Sequence, residues 1–235
     1  MAESVEMKVV ARFHTDFGGK FGVPRQAGLV EELRGLVVFE PEYRNPDAVR
    51  GLEGFSHLWL IWEFSETMRE DWSPTVRPPR LGGNARMGVF ATRSPYRPSP
   101  IGLSSVKLEG IRRDPELGPV LEVSGADLMD GTPILDIKPY LAFTDSHPEA
   151  SGGFTEESGW PLLQVDFPPE LLNKVPEGKR AALRGVLELD PRPAYQEDSE
   201  RIYGLSFGGL NIRFSVRDGV LTVCEVEDTT KEKGE

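Results

Sequence analysis

The sequence contains one cysteine and three histidines, and this scarcity excludes several kinds of chemistry. Cys224 has no partner for an internal disulfide bond, which fits a reducing compartment such as the cytoplasm. One cysteine and three scattered histidines cannot form a familiar zinc site. We therefore expect a cytoplasmic protein without a disulfide framework and without a metal centre.

Long apolar runs are also missing. No stretch approaches the roughly 20 apolar residues that a membrane-spanning helix needs, so we expect no membrane partner. The N-terminus, MAESVEMKVVARF, lacks the basic start, the apolar stretch and the small-residue cleavage site of a signal peptide. Of the 235 residues, 38% are hydrophobic and 28% are charged, which is typical of a soluble globular chain with one large or two modest domains.

Familiar catalytic and nucleotide-binding motifs are absent. The chain has no Walker loop and no G-x-G-x-x-G between a strand and a helix. It also has no G-x-S-x-G nucleophile elbow and no H-E-x-x-H metalloprotease motif. These absences argue against a dinucleotide-binding fingerprint and against hydrolysis by a familiar triad.

Acidic residues disappear from one segment of an otherwise acidic protein. The chain carries 38 acidic and 27 basic residues, a formal charge of -11, yet residues 72–106 contain no Asp or Glu. The same segment contains five arginines: Arg77, Arg80, Arg86, Arg93 and Arg97. The planar fork of arginine suits carboxylates and phosphates, because it donates two parallel hydrogen bonds. The segment therefore predicts an anion-facing surface, although any single arginine could instead pair with the surplus acids elsewhere.

Alternating apolar and β-branched residues predict strands over most of the first half of the chain. They lie near Val5–Phe13, Gly35–Phe39, His57–Phe64, Arg86–Ala91, Ile101–Ile111, Pro119–Ser124 and Ile134–Leu141. The helix expected in this half is short, at Pro46–Arg50, after an Asn that could cap it. Strands without helix-length crossovers favour a mainly β fold, either an antiparallel barrel or a sandwich.

A polar, Gly/Ser-rich segment, Ser146–Trp160, predicts a linker or a flexible loop. Beyond it, helical periodicity over Pro168–Leu189 is interrupted by a Pro-Glu-Gly triplet. Three strands follow, at Arg201–Phe207, Leu210–Val216 and Val220–Val226. The Asp218-Gly219 pair predicts a tight hairpin turn between the last two. We therefore expect a β domain at residues 1–150 and a small α+β domain at residues 160–228.

Three loops or strand ends combine residues that could form a site. PRQAG, at Pro24–Gly28, is either a surface loop or a rigid turn that presents backbone groups and Arg25 to a ligand, because proline fixes φ. Ser65-Glu66 follows a central strand, and strand ends deliver polar groups into clefts. Asp130-Gly131-Thr132-Pro133 is a turn by its chemistry alone.

Two further stretches allow a structural or a functional interpretation. Asp136, Lys138 and Tyr140 are spaced by two residues and share one face of a strand, where they form either an ion pair at a barrel mouth or one wall of a site. DPRPAY, at Asp190–Tyr195, either ends a helix or brings an arginine and a tyrosine to a phosphate and a base.

Taken in order, these segments resemble the TrmO family, also called TsaA-like, YaeB-like or VirR-like, of S-adenosylmethionine-dependent tRNA methyltransferases. The matching segments are KFGVPRQAGLV, AVRGLEGFSHLWLIWEF, TVRPPRLGGNARMGVFATRS, RPSPIGLS, DLMDGTPILDIKPY and DPRPAY. The resemblance extends from Met7 to about Val226. The segment from Val76 to Ser94 is long and unusual in composition, which makes chance similarity implausible.

The resemblance implies a homodimeric enzyme whose catalytic domain is an antiparallel β-barrel, followed by a small α+β domain. It implies transfer of a methyl group from S-adenosylmethionine to N6 of threonylcarbamoyladenosine at tRNA position 37, next to the anticodon. Matching segments assign the cofactor pocket to Pro24, Arg25, Gln26, Ser65, Glu66, Arg93, Leu103, Asp130, Gly131 and Thr132. The family often has Asn at the position of Ser99, and His-Gln or similar at Ser65-Glu66. These departures matter only if side chains, and not backbone groups, hold the cofactor there.

The implied chemistry suggests roles for residues outside the cofactor pocket. The accepting nitrogen is carbamoylated and poorly nucleophilic, so a base or a group that stabilises the carbamoyl oxygen would help. The catalytic candidates are Asp136, Lys138 and Tyr140. The expected RNA contacts are Arg77, Arg80, Arg97, Arg192 and Tyr195. Two other functions stay open, namely a cofactor-sensing or RNA-binding module without catalysis, and a methyltransferase for another small acceptor.

Overall fold

The computed structural model describes residues 4–67, 72–78, 85–157, 161–192, 198 and 200–229. Two predicted RNA contacts, Arg80 and Tyr195, lie outside the described residues. Within the described ranges, no helix is long and apolar enough to cross a bilayer.

Six antiparallel strands close into a barrel. They are β1 (Ala11–Thr15), β2 (Arg34–Phe39), β3 (His57–Glu63), β6 (Ile101–Asp114), β7 (Gly118–Ser124) and β8 (Pro133–Pro139), with a two-stranded ribbon of β4 (Thr75–Val76) and β5 (Met87–Gly88) before β6. The order around the barrel is β1-β2-β7-β6-β3-β8, and the pairing of Ala11 with Ile134 closes it. The mainly β class and the antiparallel barrel are confirmed.

The interior of the barrel is filled by every second residue of its strands. In β3, Leu58 and Leu60 are fully buried and Trp62 is largely buried, so Trp59 and Ile61 between them lie on the outer face. The other buried side chains of this core are Ala11, Phe13, Val37, Phe39, Val49, Val106, Leu121, Val123, Ala126, Leu128 and Ile134. The strand predicted at His57–Phe64 is therefore present, and the structure shows which of its two apolar faces is buried.

The first strand begins later than the sequence pattern indicates. β1 starts at Ala11, and the preceding residues are irregular, with Val5 84% exposed and Met7 46% exposed. Its partner β2 ends at Phe39, opposite Ala11, and is followed by a 3-10 helix at Pro41–Tyr43, so β2 offers no strand residues to those before Ala11. The ladder bonds continue only to Val10, whose N–H donates to the Ile134 carbonyl at 2.8 Å and whose carbonyl accepts the Glu40 N–H at 3.0 Å.

The strand predicted at Arg86–Ala91 is also shorter. β5 covers two residues because its partner β4 covers two, and a 3-10 turn at Val89–Ala91 follows. The short helix predicted after Asn45 is a 3-10 helix, Pro46–Val49, and the Asn45 side chain caps it by accepting the Asp47 N–H at 2.9 Å.

A four-stranded sheet and two helices form the C-terminal α+β unit. Its elements are β9 (Gln164–Asp166), α3 (Pro169–Leu172), α4 (Glu177–Glu188), β10 (Tyr203–Phe207), β11 (Leu210–Arg217) and β12 (Val220–Asp228), in the sheet order β10-β11-β12-β9. Asp218 and Gly219 have φ of 50° and 78°, as the predicted hairpin turn requires. β9, which is parallel to β12, was missed because three residues are too few to show alternation. Two one-turn helices, α1 (Ala142–Asp145) and α2 (Phe154–Glu157), lie in or next to the predicted linker.

The connection between β1 and β2 leaves the barrel and packs into the core of the C-terminal unit. Phe17, Val30 and Leu33 are at most 3% exposed within that core. The Phe17 ring meets the Phe207 ring edge to face, with the centroids 5.3 Å apart. The predicted PRQAG turn lies inside this connection, so both halves of the chain hold it in place.

Polar and steric contacts reinforce this packing. The Lys179 ammonium of α4 forms an ion pair with Asp16 at 2.6 Å, and the Gly208 N–H donates to the Asp16 carbonyl at 2.8 Å. A Cβ added to Gly185 of α4 would lie 2.8 Å from Cγ1 of Val30. Gly185 therefore allows the helix to approach the connection closely.

Gly22 is a test of this packing. It has a φ of +88°, and an added Cβ would lie 2.2 Å from Cδ1 of Leu205 in β10. We expect Gly22→Ala to lower the free energy of unfolding by about 1–3 kcal/mol, because left-handed backbone disfavours alanine and the leucine must move. Urea denaturation measures the change. Gly54→Ala is the control, since no heavy atom lies within 4 Å of an added Cβ there. Equal stabilities of the two variants would contradict the close packing.

Candidate functional site

A large open cleft, about 2420 Å³ in volume, lies beside β3 and β6, the β1–β2 connection and the arginine-rich loops. Every residue that the family resemblance assigns to the cofactor lines this cleft, namely Pro24, Arg25, Gln26, Ser65, Glu66, Arg93, Leu103, Asp130, Gly131 and Thr132. The fold therefore brings together segments that are far apart in the sequence. Their role in cofactor binding stays a prediction.

The turn at Asp130–Thr132 is fixed to β1 by hydrogen bonds. Asp130 Oδ1 accepts the Thr15 N–H at 3.1 Å, and the Gly131 N–H donates to the Phe13 carbonyl at 2.8 Å. Gly131 has a φ of 78°, in the region that favours glycine. The turn therefore presents its polar groups to the cleft from a rigid base.

The Pro24–Gly28 loop forms another wall of the cleft. Nη1 of Arg93 donates to Oε1 of Gln26 at 2.5 Å, which joins the loop to the arginine-rich segment. The Gly28 N–H donates to the Gly125 carbonyl at 2.8 Å, which joins the loop to the chain after β7. Two separate parts of the barrel domain therefore hold the loop.

The loop after β5 is closed by its own hydrogen bonds. Nη1 of Arg97 donates to the Thr92 carbonyl at 3.1 Å, and the Thr92 hydroxyl donates to the Val89 carbonyl at 2.9 Å. The Tyr96 N–H donates to the Ser94 hydroxyl at 3.2 Å. Together with the prolines of SPYRPSP, these bonds restrict the loop that carries Arg93 to one wall of the cleft.

The predicted RNA-contacting arginines differ in their surroundings. Arg77 is exposed and lines the cleft, as does the half-buried Arg97. Arg192 is not among the cleft-lining residues, and its Nε and Nη2 donate to the Asp190 carboxylate at 2.8 and 2.7 Å. Its side chain is 16% exposed. A phosphate contact of Arg192 would require this pair to open, and that contact stays a prediction.

Asp136, Lys138 and Tyr140 share one face, as their spacing predicts, but that face is the outside of the barrel. Lys138 pairs across the ladder with Trp59, and its Nζ forms an ion pair with Asp136 at 2.8 Å. The Tyr140 ring lies 5.4 Å from the Trp59 ring. None of the three lines the cleft, so a single chain does not bring them to the residues that the resemblance assigns to the cofactor. Their catalytic role stays a prediction.

A buried hydrogen-bonded chain that sequence reasoning missed ends at Asp127 in the cleft. Nε1 of Trp62 donates to the Ser104 hydroxyl at 2.9 Å, and this hydroxyl donates to Oδ1 of Asp127 at 2.5 Å. Burial raises the pKa of Asp127 above its ordinary value, although the Ser104 bond and the charge of Arg93 act in the opposite direction. The signal in the sequence was an acid inside the apolar run GADLM, just before the DGTP turn.

The cleft combines cations, acids and apolar side chains. Arg25 and Arg93 can donate to a carboxylate, and Glu66 and Asp130 can accept from an ammonium group. Leu103 is 51% exposed and offers apolar surface. The set fits a zwitterionic ligand with an apolar part. In the part of the chain that the structure describes, no group of three or more His, Cys, Asp or Glu side chains could hold a metal ion.

Family comparisons agree with this architecture. The model of the tRNA-methyltransferase O N-terminal domain matches residues 12–146, and the model of the TrmO C-terminal domain matches residues 161–229. The chain therefore belongs to the TrmO family. The resemblance inferred from the sequence motifs is confirmed.

Individual relatives cover most of the chain. It is 42% identical over 232 residues to the tRNA (adenine(37)-N6)-methyltransferase of Escherichia coli K12, an alignment that covers 95% of this chain and 98% of that protein. It is 39% identical to a putative S-adenosylmethionine-dependent methyltransferase RcsF of Pseudomonas aeruginosa, over 89% of this chain and 92% of that protein. The crystal structure of TrmO from P. aeruginosa superposes with a TM-score of 0.78 at 30% identity, and covers 97% of this chain and 99% of that chain.

Gly102 tests the hydrogen-bonded chain at Trp62. A Cβ added to Gly102 of β6 would lie 2.2 Å from Cε2 of the Trp62 indole, so glycine lets the ring lie against the strand and reach Ser104. We expect Gly102→Ala to displace the ring and to lower the free energy of unfolding by about 1–3 kcal/mol. Near-UV circular dichroism and urea denaturation measure both effects. Gly88→Ala, where an added Cβ meets nothing within 4 Å, is the control. An unchanged tryptophan signal in Gly102→Ala would refute the arrangement.

Proposed function

We propose that this protein transfers a methyl group from S-adenosylmethionine to N6 of adenosine 37 in tRNA, and that it acts on the threonylcarbamoylated form of that base. The observation that carries the proposal is the convergence of the motif-assigned cofactor residues in one cleft of a TrmO-family chain. The names of the E. coli and P. aeruginosa relatives support the tRNA base and the methyl donor. The proposed location is the cytoplasm, in keeping with a lone cysteine.

The side chains of the cleft fit the proposed cofactor. Arg25 and Arg93 would hold the carboxylate of its methionine part, and Glu66 with Asp130 would hold the ammonium group. The exposed side of Leu103 would pack against an apolar part of the molecule. When bound, S-adenosylmethionine supplies a methyl group attached to a positively charged sulfur.

The protein must then align N6 of the substrate with the methyl group and assist the loss of the proton from N6. The carbamoyl group withdraws electrons from N6, so this nitrogen reacts well only as its proton leaves. A cleft that holds N6 in line with the methyl–sulfur bond replaces a rare encounter by a fixed geometry, which is a large source of rate enhancement. Arginines around the cleft would stabilise negative charge on the carbamoyl oxygen.

The charge distribution suits an anionic substrate at the arginine-rich segment beside the cleft. The formal charge of -11 repels RNA from most of the protein, whereas the acid-free segment at residues 72–106 presents arginines beside the cleft. The nucleobase of the proposed substrate carries a threonyl carboxylate, and the phosphates of the tRNA flank this nucleotide. Arg77 and Arg97 would contact these groups, because phosphate binding depends on local Lys and Arg more than on net charge.

We also propose a homodimer that uses the outer face of the barrel. Leu103 and Ile101 are 51% and 40% exposed on β6, and Leu103 lies beside Ile61 of β3 in the ladder. Both also line the cleft, so a partner on this face would lie next to the bound cofactor. Neighbouring exposed apolar groups on one sheet face are typical of a surface that a partner covers. A second copy on this face would carry its Asp136 and Lys138 toward the cleft of the first, which their catalytic role requires.

Methyl transfer to two tRNA pools tests the reaction. One pool carries threonylcarbamoyladenosine and the other lacks it, and nucleoside mass analysis follows incubation with labelled S-adenosylmethionine. We expect N6 methylation of the modified pool alone. Transfer to neither pool, with cofactor binding intact, would indicate a sensing module or a methyltransferase for another acceptor instead. Transfer to the unmodified pool would show that the threonylcarbamoyl group is not recognised.

Arg77→Gln tests the arginine-rich surface. Arg77 lines the cleft and is exposed, so we expect a higher KM for tRNA and a log–log salt dependence of tRNA affinity that is shallower by about one unit. Cofactor affinity should stay at the wild-type value. Arg113→Gln removes the same charge from an exposed position of β6 away from the cleft, and is the matched control. Indistinguishable tRNA binding of the two variants would contradict an RNA role for Arg77.

A further inference from the structure

We propose that Phe90, backed by Trp72, is a stacking platform for an unpaired nucleobase next to the adenosine that enters the cleft. The inference deepens the proposed function and rests on it, because it takes the ligand of the cleft to be tRNA. Phe90 lines the cleft, but it belongs neither to the residues that the family motifs assign to the cofactor nor to the expected RNA contacts.

Two aromatic side chains are exposed beside the cleft. Phe90 is 74% exposed and Trp72 is 53% exposed, and their ring centroids lie 6.3 Å apart with the ring planes tilted by 36°. Large apolar rings gain free energy when they leave water. Two neighbouring rings that stay in water therefore indicate a surface that a partner covers.

The ribbon of β4 and β5 holds both rings at the same end. Trp72 precedes β4 and Phe90 follows β5, and the Val89 N–H donates to the Pro74 carbonyl at 3.0 Å, which joins the two segments. The Thr92 N–H and hydroxyl both donate to the Val89 carbonyl, at 3.2 and 2.9 Å. Val89 is 1% exposed, so the turn is anchored by one residue and presents the next to solvent. The backbone beneath the Phe90 ring is thus fixed before a ligand arrives, which reduces the entropy lost on binding.

The charge around the rings identifies the kind of partner. Arginines of the same segment line the cleft together with Phe90, namely Arg77, Arg86, Arg93 and Arg97. No Asp or Glu occurs in residues 72–106 to offset them. Exposed rings among arginines suit single-stranded nucleic acid, because a ring stacks on a base while guanidinium groups contact phosphates.

A second copy of this chain fits the same surface poorly. In a two-fold contact through the rings, the same patch meets itself, so the arginines of both chains would face one another. Such a juxtaposition of like charges is unfavourable. The occupant that the charge favours is therefore RNA.

The proposed reaction creates a base face that the platform can cover. An enzyme that acts on a base within a stack must first take that base out of it. When adenosine 37 enters the cleft, the neighbouring base loses a stacking partner. A ring at the wall of the cleft restores part of this stacking, and it does so whatever the neighbouring base is, since every base has a flat face.

Phe90→Leu tests the platform, because it keeps an apolar side chain and removes the aromatic ring. The ring is 74% exposed, so we expect an unchanged melting temperature. The KM for tRNA should rise about ten-fold, as for the loss of one base-stacking contact, while the affinity for S-adenosylmethionine stays at the wild-type value. Phe90→Tyr keeps the ring and should retain the wild-type KM. Phe143→Leu, which removes an 88% exposed ring of α1 outside the cleft lining, is the matched control.

Photocrosslinking identifies the base that stacks. Two synthetic anticodon stem-loops carry 5-iodouridine, one on the 5′ side and the other on the 3′ side of threonylcarbamoylated adenosine 37. Ultraviolet light couples 5-iodouridine to an aromatic ring in stacking contact, and mass analysis of the peptides locates the new bond. We expect a crosslink at Phe90 with one of the two stem-loops, and no crosslink at this position in Phe90→Leu.

The two experiments together decide the inference. A crosslink at Phe90, with a KM for tRNA that rises in Phe90→Leu but not in Phe143→Leu, supports it. Equal KM values of these two variants, or bound stem-loops without a crosslink at Phe90, overturn it. Weaker S-adenosylmethionine binding by Phe90→Leu would assign the ring to the cofactor instead, and a changed oligomeric state in sedimentation would assign it to a second copy.

Failure of the platform can be told apart from failure of the proposed function. If the wild type methylates tRNA but gives no crosslink at Phe90, the function stands and the platform is wrong. If the wild type crosslinks at Phe90 but methylates no tRNA, the platform stands and the reaction is wrong. A wild-type protein that binds neither stem-loop overturns both.

Discussion

The burial of Phe17, Val30 and Leu33 in the C-terminal core is the contact on which the site depends. These side chains anchor both ends of a connection that carries the Pro24–Gly28 loop into the cleft. Burial of a large apolar side chain contributes about 1.5–3 kcal/mol, more than the single hydrogen bonds of the loop. The C-terminal unit therefore supports one wall of the cleft that we propose as the cofactor site. Deleting it would remove the anchor as well as any RNA contact it makes.

Most barrel strands, and many of the residues that line the cleft, could be predicted from the sequence because each has a local sequence signal. Alternation along His57–Phe64 predicted a strand there, and Asp218-Gly219 predicted its hairpin by turn chemistry alone. The family motifs assigned residues that the fold then collects in one cleft. β9 and the short β5 had no such signal, since their lengths depend on the strands beside them.

The contact partners of individual side chains, and the side of the barrel wall on which they lie, could not be predicted in the same way. The spacing of Asp136 and Lys138 shows that they share a face, but only the register with β3 shows that this face is external. The sequence gives no sign that Ser104 and Asp127 meet, or that Arg192 is already paired with Asp190. Such contacts join segments that are distant in the sequence. The type of a residue limits the interactions that it can form, but it does not identify the residue with which it forms them. The positions left undecided by sequence are therefore mostly those of polar side chains.

The anchoring of the β1–β2 connection in the C-terminal core has a consequence for folding during synthesis. Ribosomes synthesise the chain from the N-terminus to the C-terminus, and domains generally fold as they emerge from the ribosome. The barrel is complete once β8 has emerged, but the core that buries the connection extends to Val226, more than 80 residues further along the chain. A nascent chain that has released β8 but not β12 can thus have a closed barrel and an unanchored Pro24–Gly28 loop. The wall that this loop gives to the cleft is therefore fixed later than the barrel that carries the other walls.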